Sequence, residues 1–253
     1  MSLTKLGILA EMELNSQLPA PALELFLALV VASIVFSFGA ATFNSSFQGT
    51  LNTGVIQSVT NTFAAGLLRD TIANVFVLDV VVTILFVSAS MGGSLSSGLT
   101  ETMLSYPVGR LEYLLSKAGL YSGISIGGML MGTSIGVSVS PFTYSWSQIV
   151  LAIAVIGSKC LLIVVSSLLA ATLLGRTIPS AMVMMFSWFA LFLVRSSIPA
   201  PYKYILFSED VFLVRDTWIG VVWGVVGSFA ISAAMMLLLT TYFRRLDILR
   251  GQF

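Results

Sequence analysis

The 253-residue chain contains no histidine and a single cysteine, Cys160. Without imidazole there is no histidine general base and no histidine metal ligand. With one thiol there is no zinc thiolate set, no Cys–His nucleophile pair and no intrachain disulfide. Charge is also scarce: 9% of residues are charged, against about 25% in a soluble globular domain. The net charge of +1 gives no bulk attraction to nucleic acid, and none is expected as a partner. No G-x-x-x-x-G-K-[ST] phosphate loop occurs, since Gly157-Ser158-Lys159 lacks the first glycine and lies in an apolar run. No basic stretch leads directly into an apolar core at the N-terminus, so no cleaved signal peptide is expected.

What is present is apolar. Hydrophobic residues make up 57% of the chain and the mean hydropathy is +0.99. So few charges cannot cover a water-facing surface, and the apolar runs are long enough for helices rather than barrel strands. The expected fold class is an all-α integral membrane protein, with the whole chain forming one transmembrane domain. Six spans are expected at 22–43, 71–91, 108–139, 147–174, 178–195 and 217–243. Residues 1–21 place Leu3, Leu6, Ala10 and Leu14 on one face and suit an amphipathic helix at the interface, or a solvated leader. Between the first two spans Val55, Val59, Phe63 and Leu67 recur every four residues, which predicts a separate surface helix. Gly92 and Gly93 are expected to end the second span. Gly119, Gly123, Gly127, Gly132 and Gly136 recur along the third and predict close helix packing, within the chain or across a dimer. The Pro-containing segment after the fifth span, Ser197 to Phe207, is too apolar to be freely solvated and is expected to dip back against the bundle.

Six spans put both termini on one side. With the termini inside, the inner segments hold Lys5, Arg110, Lys117, Arg176, Arg244, Arg245 and Arg250. The outer segments hold Arg69, Arg195, Lys203 and Arg215, with Lys159 inside a span. That bias predicts a multi-pass protein of the cell membrane with both termini in the cytosol.

One polar island interrupts the apolar pattern, the run Gly98–Lys117, with Glu101, Arg110, Glu112 and Lys117 charged and Pro107 in its middle. Residues 97–106 read as a short helix along the membrane surface, and Pro107 suits the first turn of the next helix. Arg110 and Lys117, seven residues apart, share a helical face expected near the inner headgroups. On spacing alone an ordinary cytoplasmic loop anchored by basic residues is the favoured reading. The pattern Gly98-x-x-Glu101-x-x-Leu104-x-x-Pro107-x-x-Arg110-x-Glu112, followed by Lys117, resembles the signature loop of ABC-2-type exporter permeases. The six-span frame, the amphipathic leader, the short fifth span and the terminal Phe-Arg-Arg-Leu-Asp resemble that family as well. The resemblance implies that 97–106 is a coupling helix docking on a separate nucleotide-binding ATPase subunit, which would hold ATP and magnesium. It further implies a second permease subunit, identical or not, surrounding membrane lipid, and no enzymatic step or cofactor in this chain. In that frame Glu101, Leu104 and Pro107 shape the docked helix, while Arg110 and Glu112 orient it. The segment before the glycine, Gly93 to Ser97, is uncharged here.

Asp79 and Lys159 are the two charges inside expected spans, at similar depth. A charge in hydrocarbon costs several kcal/mol unless paired or hydrated, so a mutual pair is expected. It reads either as a clamp between helices or as a polar patch on a substrate or proton path. The latter would belong to the competing reading, an ion- or proton-coupled secondary transporter or channel without an ATPase partner.

Overall fold

The computed structural model describes residues 56–98, 100, 109–139, 144–199, 202–213 and 220–245, with isolated helical positions between Gly7 and Val35. The expected interfacial helix at 1–21, the span at 22–43 and most of the 97–106 coupling helix lie outside the described residues. Among the described residues the protein is helical and contains no strand. In order come α1 (Ile56–Ser96), α2 (Arg110–Val139), α3 (Trp146–Leu174), α4 (Thr177–Leu193) and the short α5 (Tyr202–Leu206). A 3-10 segment (Ser208–Leu213), a π turn (Val222–Val226) and α6 (Gly227–Arg245) complete it.

Four of these helices are long and apolar enough to cross a membrane: Ala64–Ser96, Arg110–Ser138, Trp146–Leu174 and Val222–Arg245. That is compatible with a multi-pass membrane protein. The fifth, α4, has 17 residues and reaches only about 26 Å at 1.5 Å per residue, short of the roughly 30 Å hydrocarbon layer. The distribution of polarity is inverted relative to a water-soluble protein. Asp79, Lys117, Lys159, Glu209 and Asp210 are buried, whereas Phe186, Phe189, Leu193, Leu237 and Leu238 are between 61% and 71% exposed. Such a surface suits lipid.

α1 departs from expectation. The surface helix expected before Arg69 and the span expected at 71–91 form one 41-residue helix, and Gly92 and Gly93 continue it to Ser96. The polar stretch lacks proline, so nothing in it ends a helix. Gly92 serves packing instead of unwinding: a Cβ there would lie 2.8 Å from the Arg176 carbonyl carbon and the Thr177 nitrogen. It lets α1 touch the turn between α3 and α4. The chain breaks only at Gly98, whose φ of 73° is left-handed.

α3 is the central post. Ser145 caps it through a reciprocal box with Gln148, and Gly175 closes it in the left-handed conformation, its N–H donating to the Ala171 carbonyl. Val155, Ile156 and Cys160 pack with Leu68, Ile72 and Val75 of α1 and Met129 of α2. Val164 and Leu168 pack with Met91, Leu114, Leu239 and Phe243. On the remaining side Leu162 and Ile163 meet Phe76, Ile84, Met184 and Trp188. α4 buries only Ser180, Ala181, Met184 and Trp188.

The glycine stripe on α2 does not serve intrachain packing along its first half. Gly119 and Gly123 are exposed, and nothing lies within 4 Å of a Cβ at Gly119, Gly123 or Gly127.

Candidate functional site

The segment between α4 and α6 folds back into the bundle, as its composition predicts. Phe207, Ser208, Glu209, Asp210 and Val211 are all buried. Small residues of the last helix make room for it. A Cβ on Gly224 would lie 2.7 Å from Val211 Cγ2, and one on Gly227 would lie 2.9 Å from Ile205 Cγ1. The Ser228 hydroxyl sits 2.5 Å from the Ile205 carbonyl oxygen and fastens the segment to the helix. The π turn at Val222–Val226 lies at this junction.

This segment carries two carboxylates that the sequence reading did not single out. Glu209 Oε2 pairs with the Lys159 ammonium, both groups fully buried, and Glu209 Oε1 lies 3.1 Å from Arg195 Nη2. The latter contact is ionic rather than a directed hydrogen bond. Asp210 Oδ1 accepts from Arg69 Nη2 at 2.8 Å, Arg69 Nε at 3.1 Å and Arg195 Nη2 at 2.5 Å. Lys203 Nζ is 3.3 Å from Asp210 Oδ2. Burial opposes ionisation of Asp210, but the hydrogen bonds from Arg195 and Arg69 outweigh it and hold the carboxyl below its ordinary range. Aromatic faces complete the network, with Lys159 Nζ 3.8 Å from the Phe76 ring centre and Arg195 over Phe207.

The expected Asp79–Lys159 pair is therefore corrected: Lys159 turns to Glu209. Asp79, with no exposed surface, accepts hydrogen bonds from Ser125 Oγ at 2.8 Å and Thr83 Oγ1 at 3.3 Å, and Cys160 Sγ lies 3.8 Å away. The missing signal was Glu209–Asp210, two adjacent acids in a segment otherwise too apolar for water. Depth arithmetic within spans could not see it, because the partner of Lys159 comes from a loop.

At the opposite end of the bundle lie the described residues of the island. Gly98 forms the turn after α1, while Glu101, Leu104 and Pro107 fall outside the described residues. Arg110 Nη1 donates to the carbonyls of Phe243 (3.0 Å) and Arg244 (2.8 Å), at the C-terminal end of α6. Glu112 accepts from the Gly109 N–H at 3.1 Å and caps α2. Lys117 does not reach the surface beside Arg110. It is buried, 2.5 Å from Ser90 Oγ and 5.1 Å from the Tyr113 ring centre. Tyr113 stacks on Phe243 and its hydroxyl is 3.3 Å from Ser94 Oγ.

Between the two ends α1 carries four buried polar residues on one face, with the apolar Val87 between the second and third. Asp79, Thr83, Ser90 and Ser94 follow at i, i+4, i+11 and i+15, one face of a helix, and all are buried. This spacing is legible in the sequence. The described residues hold no group of three or more His, Cys, Asp or Glu fit for a metal ion. No protein-family model matches the chain, and a comparison with curated proteins finds no match either.

Proposed function

We propose that the chain is the membrane-spanning permease subunit of an ATP-driven exporter of the ABC-2 type. The loop resemblance around Gly98–Lys117 motivates the family. The observation that carries the mechanical part is the fastening of the island's second half. Arg110 grips the last carbonyls of α6, and Lys117 is buried against Ser90 of α1. A push on the 97–106 segment by an ATPase subunit would thus pull on two helices at once. In this reading both termini face the cytosol, the ATPase holds ATP and magnesium, and a second permease subunit completes the pathway in the lipid bilayer.

Affinity purification of the tagged chain from its native membranes, with a search for a co-purifying nucleotide-binding subunit, tests the reading. The expected result is a stable complex whose ATP hydrolysis drives transport and is uncoupled from it by Glu101→Ala or Pro107→Ala. Purification without any nucleotide-binding subunit, together with intact transport in both variants, overturns it.

A further inference from the structure

We propose that Asp79 binds an exchangeable monovalent cation, a proton or a sodium ion, at the centre of the bundle. The site is independent of whether an ATPase drives the protein. Three observations lead to it.

The first is charge balance. Asp79 has no exposed surface, and its described neighbours are neutral: Thr83 on its own helix, Ser125 on α2 and Cys160 on α3. Among the described residues no lysine or arginine pairs with it. Lys159, next to Cys160, is committed to Glu209, and Lys117 lies on Ser90. Arg69, Arg195 and Lys203 gather on Asp210. Of the 12 basic residues, only Lys5, Arg215 and Arg250 fall outside the described set. A buried carboxylate without a basic partner costs several kcal/mol, and among the described residues none is supplied, so a positive charge from solution would restore neutrality.

The second is ligand chemistry. The carboxylate and the two hydroxyls are hard oxygen donors, suited to a proton or an alkali ion. One carboxylate balances one positive charge. A divalent ion would leave the buried site charged, and calcium takes six or more oxygens, commonly from several carboxylates.

The third is access. Arg69 and Ser94 are 25 positions apart on one continuous helix (94 − 69), which is about 38 Å at 1.5 Å per residue. Asp79 lies about 15 Å below Arg69 on the same scale. From Asp79 the stripe Thr83, Ser90, Ser94 leads toward Lys117, Tyr113 and Arg110. From the other end Asp210, Glu209 and Lys159 descend to the level of Phe76 and Cys160. The carboxylate thus stands at an intermediate level between two polar networks at opposite ends of the bundle, with Thr83 and Ser125 as its own hydroxyl partners. The hydroxyl of Ser122, one turn before Ser125, is buried without a hydrogen-bond partner.

Infrared difference spectroscopy of the full chain in lipid bilayers tests this, with potassium as the reference cation. For a proton site, a carboxylic C=O band present in the wild type and missing from Asp79→Asn disappears reversibly as the pH is raised. For a sodium site, replacing potassium by sodium shifts carboxylate bands, and Asp79→Asn loses the shift. Either outcome supports the proposal and identifies the ion. A second readout needs no variant: Cys160 is the only thiol, so its S–H stretch reports the carboxylate 3.8 Å away and moves in the same titration. Carboxyl and S–H bands that stay fixed across pH and sodium overturn the proposal, as do bands identical in the wild type and a folded Asp79→Asn.

Discussion

The Lys159 ammonium closes on the Glu209 carboxylate where neither residue has more than 1% of its surface exposed. The partners are 50 residues apart, one in the middle of the central helix and the other in a segment between helices. The pair therefore bolts the re-entrant segment to the post around which the bundle packs. Arg195, within reach of both Glu209 and Asp210, links this bolt to the Arg69 end of α1.

Removing Glu209 alone leaves the Lys159 ammonium as a buried charge with no contacting carboxylate, whereas removing Lys159 leaves Glu209 its ionic contact with Arg195. Glu209→Gln is expected to cost about 3–5 kcal/mol, while Glu209→Gln with Lys159→Met recovers much of that loss, because a neutral pair has no charge to strand. Thermal unfolding in detergent of the two single variants and the double variant measures the coupling. The same cycle between Lys159→Met and Asp79→Asn is expected to be close to additive, since the structure places no ion pair between them.

Asp210 makes the docking of the segment sensitive to acid. Its carboxyl is held below its ordinary value of 3.8, so its contribution is complete above that value and is lost as the pH falls through the depressed one. The segment is expected to stay docked at neutral and mildly acidic pH and to loosen only below about pH 4. Trypsin cleavage at Lys203, sampled by short acid exposure and rapid neutralisation, reads the loosening. Asp210→Asn is expected to raise cleavage at neutral pH and to flatten the acid dependence.

The expected span 147–174 falls within one residue of α3, Trp146–Leu174, because local signals set its ends. Ser145 with Gln148 starts α3, and Gly175 stops it, for reasons confined to a few neighbouring residues. Gly92 shows the limit of such reading. A glycine pair between serines (Ser90-Met91-Gly92-Gly93-Ser94) reads as a helix end, yet here Gly92 is a contact surface, and only the position of the α3–α4 turn distinguishes the two roles. The partner of Lys159 was hidden for the same reason, since tertiary packing and not sequence depth decides which carboxylate a long ammonium side chain meets. The burial of the segment after α4 was readable, because its apolar content has no other place to go.

The glycines of α1 and α2 should respond oppositely to the same substitution. Gly92→Ala is expected to cost about 1–3 kcal/mol, because its new methyl group meets backbone atoms of Arg176 and Thr177 that cannot rotate away. Gly119→Ala has open space and should be neutral or stabilise α2 by about 0.5–1 kcal/mol. If the exposed stripe carries a second permease subunit, Gly119→Leu with Gly123→Leu lowers the dimer fraction while leaving the unfolding temperature of the monomer unchanged. Cross-linking and thermal melts on the same samples separate the two effects.

Arg110 offers a test of the link between the island and the last helix. Its guanidinium donates to the carbonyls of Phe243 and Arg244 near the C-terminal end of α6, where a cation also opposes the helix dipole. Arg110→Ala is expected to cost about 0.5–2 kcal/mol in stability. Arg110→Lys should recover the charge term and part of the carbonyl contacts, because both carbonyls are met by the single Nη1 and an ammonium also carries more than one donor, on a shorter side chain. Hydrogen exchange at the last turn of α6 should rise in the order wild type, Arg110→Lys, Arg110→Ala. Transport per ATP hydrolysed in the complex with the ATPase should fall in the same order, if this contact carries the push. Exchange that rises while the transport ratio stays constant would reduce Arg110 to a helix cap.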